Sequence, residues 1–234
     1  GKLKEPFEAF LIAHKDTTDI FCFQEVFNDY SSEHEEDLVN HTDGNKHLLA
    51  EIAAILTDFD VHFCPIAEET YGIAIFLKKG IEVIQSGEVL LVDATTEDHT
   101  RKMQWIHIKQ GTKDVMVMNV HGHWSVEGKG DNDHRLEQSK IINEFILGTG
   151  MVPKILVGDL NLNLETESIK LIEKYTINLV KNQGIQTTRT ELYKGPDAHA
   201  DYVFISNEVF LNSFKVLPDV VSDHFPLSLD FDLF

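Results

Sequence analysis

Cysteine is scarce in this sequence. There are two, Cys22 and Cys64, each in an apolar, strand-like run. Their spacing matches no zinc pattern, and two thiols cannot staple a disulfide scaffold, so both read as buried. Basic residues are also few: 20 Lys and Arg stand against 39 Asp and Glu, a formal net charge of −19. Such a chain repels a nucleic-acid backbone at long range, which disfavours tight, non-specific DNA binding. A nucleic-acid substrate is not excluded, because a bound divalent cation inverts the local field. No apolar run approaches the length of a transmembrane segment. Internal repeats, low-complexity tracts and linkers are missing too, and 234 residues suit one large α/β domain. The sequence opens on Gly1 rather than Met, and a signal peptide would lie upstream. The residues therefore fix no cellular address, although a cytoplasmic one is favoured, and a monomer is expected.

What is present is a regular alternation of apolar patterns. Leu3, Phe7, Phe10 and Leu11 share a helical face, with Pro6 in the first turn, where its missing N–H does no harm. Residues 19–23 read as a buried strand ending in Gln24-Glu25. The acidic run Glu33, Glu35, Glu36 and Asp37 reads as solvated loop. Leu48, Ile52, Ile55, Leu56 and Phe59 keep helical rhythm. Strands follow near 61–64, 72–77, 81–91, 101–109 and 113–121. In the last, Val115, Val117, Asn119 and His121 alternate with Met116, Met118 and Val120. A glycine-rich loop, 122–134, leads into a helix over 132–147 whose stripe includes Arg135, Gln138, Ile142 and Phe145. Beyond it the pattern predicts a strand at 154–157, a helix at 166–174 and a short strand at 177–180. Further strands are predicted at 201–205, 213–217 and 227–232. Strands outnumber helices and many are consecutive, which predicts two packed, largely antiparallel sheets covered by helices.

The polar residues of interest share one placement, next to the end of an apolar strand. Glu25 follows the first strand. Asn119 and His121 end the strand over 113–121, and Asp159 and Asn161 the strand over 154–157, each pair two apart and so on one face. Asp201 opens its strand, and Asp223-His224 precedes the last. Such ends can converge at one rim of a rigid scaffold. Glu25, Asp159 and Asp223 are oxygen donors suited to Mg²⁺ or Mn²⁺. His121 and His224 can donate to, or exchange protons with, a phosphoryl group near neutral pH. A carboxylate such as Asp201 can orient a catalytic imidazole. Asn119 and Asn161 can orient water or phosphate without adding charge. Taken singly, each has an ordinary reading as a turn, a cap or an exposed carboxylate.

The ordered combination is more specific. Gln24-Glu25, Asn119-x-His121, Arg135-x-x-Gln138, Gly158-Asp159-x-Asn161, Asp201-Tyr202 and Ser222-Asp223-His224 together resemble the endonuclease/exonuclease/phosphatase superfamily. The resemblance runs from about residue 3 to the C-terminus. It implies a four-layer α/β/β/α sandwich, two mixed and largely antiparallel sheets flanked by helices, with the active site at one end. It also implies roles. Glu25 resembles the principal Mg²⁺ ligand, with Gln24 beside it and Asp223 as an additional ligand or phosphate-side carboxylate. Asp159 resembles the aspartate that positions or deprotonates the attacking water, and Asn161 the asparagine that orients water and phosphate. His224, oriented by Asp201, is similar to the histidine that holds the scissile phosphate or acts as general base. His121 is similar to the histidine on the phosphate or leaving-group side. One feature departs from the pattern. The family begins with a strand that delivers an asparagine to the metal site, and Gly1-Lys2 resemble residues just past it. The expectation is thus a single domain over 1–234, truncated at its N-terminus.

The expected function is divalent-metal-dependent hydrolysis of phosphate esters, as a phosphodiesterase or phosphatase. The alternatives are a DNA endonuclease of deoxyribonuclease or abasic-site type, and an inactive module that binds phosphate ligands. The substrate expected is a phosphate ester, nucleic acid included. Two loops are placed to set specificity: 122–134, with His123, Trp124 and Lys129, and 181–200, with Arg189, Tyr193 and Lys194. Trp124 could stack on a ring or anchor its loop. Arg189 could clamp a phosphate or remain a solvated cation.

Overall fold

The structure, a computed structural model, describes residues 3–28, 46–67, 70–95 and 98–233. The acidic run at 33–37 lies outside them. Among the described residues, eleven strands and five helices follow in the order α1 (Lys4–His14), β1 (Ile20–Phe27), α2 (Leu48–Ile55), β2 (Phe59–Ala67), β3 (Tyr71–Lys78), β4 (Glu82–Val92), β5 (Arg101–Gln110), β6 (Lys113–His121), α3 (Asp133–Gly148), β7 (Lys154–Asp159), α4 (Glu167–Glu173), β8 (Ile177–Asn178), α5 (Leu179–Asn182), β9 (Asp201–Ile205), β10 (Val209–Val216) and β11 (Leu227–Leu233). A six-stranded sheet runs β4-β5-β6-β7-β9-β8 and is antiparallel except for the β6–β7 pair. The opposing layer is made of a three-stranded sheet, β1-β3-β2, and a two-stranded sheet, β10-β11. This is the expected mixed α/β sandwich.

Burial follows from the layering. The central β6 is buried on both faces from Val115 to His121, because one face meets the other sheet layer and the opposite face meets helices. Ile142, Ile146, Ile169 and Ile172 of α3 and α4 join Met116, Met118 and Leu156 in the main core. On the far side α1 and α2 bring Leu11 and Ile52 onto Phe21, Ala74 and Phe76 of the small sheet. Phe59 completes the apolar rhythm of α2 but lies in β2. The helix ends at Leu56 (φ −90°, ψ 53°), and Phe59 still packs into the same cluster. The predicted strand at 177–180 is two residues long. Asn178 Oδ1 then accepts from the Lys181 N–H and starts the short α5. The two cysteines are free thiols.

β1 pairs only with β3, and β11 only with β10, so among the described residues each has a partner on one side. Both edges line one cavity of about 1560 Å³. Its floor is the apolar inner face of the large sheet, Val117, Ile155, Val157 and Val203, and it opens among Glu25, Asp159, Asp223 and His224.

Candidate active site

Strand register assembles the centre of the site. β6 and β7 run parallel and place His121 opposite Asp159, and β9 runs back with Asp201 opposite Asp159. His121, Asp159 and Asp201 therefore form one row across three adjacent strands. The row needs Gly158, whose φ is +130° and where a Cβ would lie 2.0 Å from the Val120 carbonyl oxygen. His224 comes from the segment before β11 and completes the group, its Nδ1 donating to Asp201 at 2.8 Å from both oxygens. Its Nε2 lies 3.8 Å from Asp159 and 3.8 Å from Asp223.

From the opposite layer comes Glu25. At Gln24-Glu25 the β1–β3 register shifts, and Glu25 adopts a left-handed backbone (φ 57°). This bulge turns the carboxylate to the cavity mouth, 62% exposed and 3.7 Å from His121 Nε2. Asn119 fixes the bulge. It is fully buried, its Oδ1 accepts from Gln24 Nε2 at 2.7 Å, and its Nδ2 donates to the Phe23 and Ala74 carbonyls. Asn119 is therefore a tie between the two sheets. Expected to orient water or phosphate, it has its amide engaged within the protein instead.

The two histidines differ in charge. Burial pushes His121 down to about 3, and the nearby Arg101 adds to this, so the ring is neutral across the physiological range. The expectation that it exchanges protons near neutrality gives way to a neutral donor or acceptor. Burial also disfavours the charged form of His224, but the charge and hydrogen bond of Asp201, and then Asp159, outweigh it and raise the pKa to about 9. Arg189 lies against His224 Nε2 and opposes protonation, yet three carboxylates around the ring favour the imidazolium. Asp159 is held below the usual carboxylate range. Burial would raise it, and the charges of His224 and Lys129 more than offset that.

Arg189 is buried, in contrast to a solvated loop cation. Its Nη1 donates to Asp223 at 3.0 Å, and its guanidinium lies 4.2 Å from the centre of the Tyr193 ring. Arg135 is buried too and touches no open space. Its guanidinium donates to the carbonyls of His123, Gly128 and Gly130 and so shapes the 122–131 loop. Gln138 accepts from the His123 N–H. Trp124 is 44% exposed and is not among the residues that line the cavity. Asn161, also left-handed (φ 53°), donates its N–H to Asp159 Oδ1 at 2.6 Å.

The sequence offered little sign of Asp98 and Arg101, the first in the polar stretch before β5 and the second at the start of that strand. They form a buried pair, Arg101 Nε donating to Asp98 at 2.8 Å. Asp98 also lies 3.0 Å from His123 Nδ1 and accepts from the Trp124 N–H. This pair anchors the start of the 122–131 loop. Its only trace is an i, i+3 acid–base spacing, which any surface turn can show.

A cation fits part of this set better than another. Asp159, Asp201 and His224 bring ligand atoms within 4.8 Å of one another, but both Asp201 oxygens are already engaged by His224. The Glu25 carboxylate, 62% exposed, is a hard oxygen donor, and Asp223, which also accepts from Arg189, lines the same cavity.

Comparison with solved structures gives the same architecture. A mannosyl-6-phosphatase from Bacteroides thetaiotaomicron superposes with a TM-score of 0.75 at 17% identity, covering 99% of this chain and 92% of that one. A humanized TDP2 from D. rerio gives 0.71 at 12% identity, over 99% and 93%. The catalytic domain of human Nocturnin with bound sulfate gives 0.64 at 18% identity, over 99% and 87%. At these identities the likeness is one of fold. No curated protein sequence matches. The family model does, spanning residues 5–224, and the chain belongs to the Endonuclease/Exonuclease/phosphatase family, whose members are generally hydrolases of phosphate esters.

Proposed function

We propose that this chain is a divalent-metal-dependent phosphodiesterase or phosphatase. The observation that supports the reading most is the row His121–Asp159–Asp201, closed by His224 and faced by Glu25. Glu25 is the principal ligand for Mg²⁺ or Mn²⁺, with Asp223 as a second carboxylate. When bound, the cation supplies Lewis-acid stabilisation of the phosphoryl oxygens. The chain's own groups do the rest. Asp159 is ionised and accepts a proton from the attacking water. His224 already carries its proton at neutral pH, so it serves as a cationic donor to the phosphate rather than as the base. Asp201 fixes the His224 ring. His121, neutral, offers one N–H on the side of Glu25. Arg189 stands beside Asp223 and His224 as a further cation for phosphate.

The decisive assay is hydrolysis of activated mono- and diesters with Mg²⁺ or Mn²⁺. Activity should be lost with EDTA and return with added metal, and turnover indifferent to chelation would remove the metal from the proposal. Plasmid nicking exceeding turnover of small esters would favour the endonuclease alternative. Phosphate binding without turnover would favour an inactive module.

A further inference from the structure

Lys129 is 7% exposed, in a chain whose lysines are mostly at the surface. It sits at the tip of the loop that Arg135 clamps, with the carbonyls of both flanking residues, Gly128 and Gly130, held by the same guanidinium nitrogen at 2.6 Å. Its own carbonyl accepts from the Asn163 N–H at 2.8 Å. The backbone is thus fixed on three sides, and the ammonium is delivered to one acceptor: Lys129 Nζ donates to Asn161 Oδ1 at 2.7 Å. The other end of the same amide donates to the Gly122 carbonyl at 3.1 Å. These partners leave no choice of orientation, since an ammonium only donates and a carbonyl only accepts. The oxygen must face Lys129 and the nitrogen must face Gly122. One N–H of the Asn161 amide is then left over, on a residue whose backbone N–H is bonded to Asp159.

We propose that Lys129 is a positioning residue that acts through Asn161, holding its amide so that it meets a phosphate or water oxygen as a donor. The idea rests on the functional reading above and adds a residue to it. Without the ammonium, the amide keeps only the Gly122 contact. It can then rotate, turning an oxygen toward the negatively charged group it should hold. A methionine at 129 keeps the stem and removes the donor.

The test is a double-mutant cycle on the full chain with Mg²⁺ and an activated ester. Asn161→Ala should lower kcat about 100- to 1000-fold, as expected for loss of one preorganised donor. Lys129→Met should lower kcat about 10- to 100-fold with KM little changed, the size seen for orienting partners. The double variant should be no slower than Asn161→Ala alone. Lys129→Arg should recover part of the rate. Additive losses would overturn the proposal and make Lys129 a direct substrate contact, and an unimpaired Lys129→Met would overturn it outright. A second measurement does not depend on turnover. The Asn161 side-chain NH₂ resonances should be slow to exchange in the native chain and fast in Lys129→Met. Unchanged exchange overturns the proposal even if no ester is cleaved, whereas a native chain without any esterase activity would fail the functional reading instead.

Discussion

Two corners of the site hold a histidine each, 121 on β6 and 224 before β11, and they show how burial alone does not set charge. The His121 ring is buried and the His224 ring largely so. The carboxylate facing His121, that of Glu25, is mostly exposed and stands 3.7 Å away, and burial drives the ring to about 3. His224 is bonded to Asp201 and lies close to Asp159, and it rises to about 9. One fold thus keeps a neutral and a cationic imidazole side by side at the same pH, and Asp201, at the start of β9, contributes most to raising the second.

The comparison breaks most visibly at His224. Replacing it with Ala should lower kcat by roughly 100- to 10,000-fold, the range for a positioned proton-bearing group, with folding intact by circular dichroism. A near-native rate would remove it from the chemistry. Asp201→Asn should cost less, about 10- to 100-fold, because it removes an orienting partner and leaves the ring in place. It should also move the alkaline limb of the pH–rate profile, expected near pH 9, toward lower pH. An unmoved limb would mean that another group sets it.

A smaller effect appears in stability, where the two rings give opposite slopes. The folded pKa of His224 lies above its unfolded value, so its contribution is complete below about 6.5 and is lost as pH rises through about 9. For the metal-free chain this amounts to at most about 3 kcal/mol. His121 is the reverse. Its folded pKa lies below the unfolded value, so it costs stability as pH falls from about 6.5 toward 3. Urea melts across pH 5 to 10 should show the alkaline slope in the native chain and lose it in His224→Ala. A slope that survives that replacement would assign it elsewhere.

Much of this was legible in the sequence because strand periodicity carries geometry. Residues two apart within a strand share a face, so Asn119 and His121 could be grouped before any coordinates. Asn161, by contrast, lies past the end of β7 and meets Asp159 only through a left-handed turn. Register is another matter. That His121, Asp159 and Asp201 form a single row depends on β6 and β7 being parallel neighbours, which no local pattern encodes. Charge state was hidden for the same reason, since it depends on which carboxylate folds back onto which ring. Arg135 and Arg189 carry the same side chain, yet one shapes a loop from inside and the other stacks on Tyr193 beside the site. Only the tertiary contacts separate them.

The two left-handed residues, Glu25 and Asn161, have an evolutionary consequence. A side chain in that backbone region costs of order 1 kcal/mol, which a glycine would not incur. At Asn161 the amide offsets that cost structurally, since it accepts from the buried Lys129 ammonium and donates to Gly122. At the exposed Glu25 the strain has less to offset it, so a lineage of this fold that had given up catalysis should betray itself first at position 25, by drifting to glycine and becoming more stable as it falls silent.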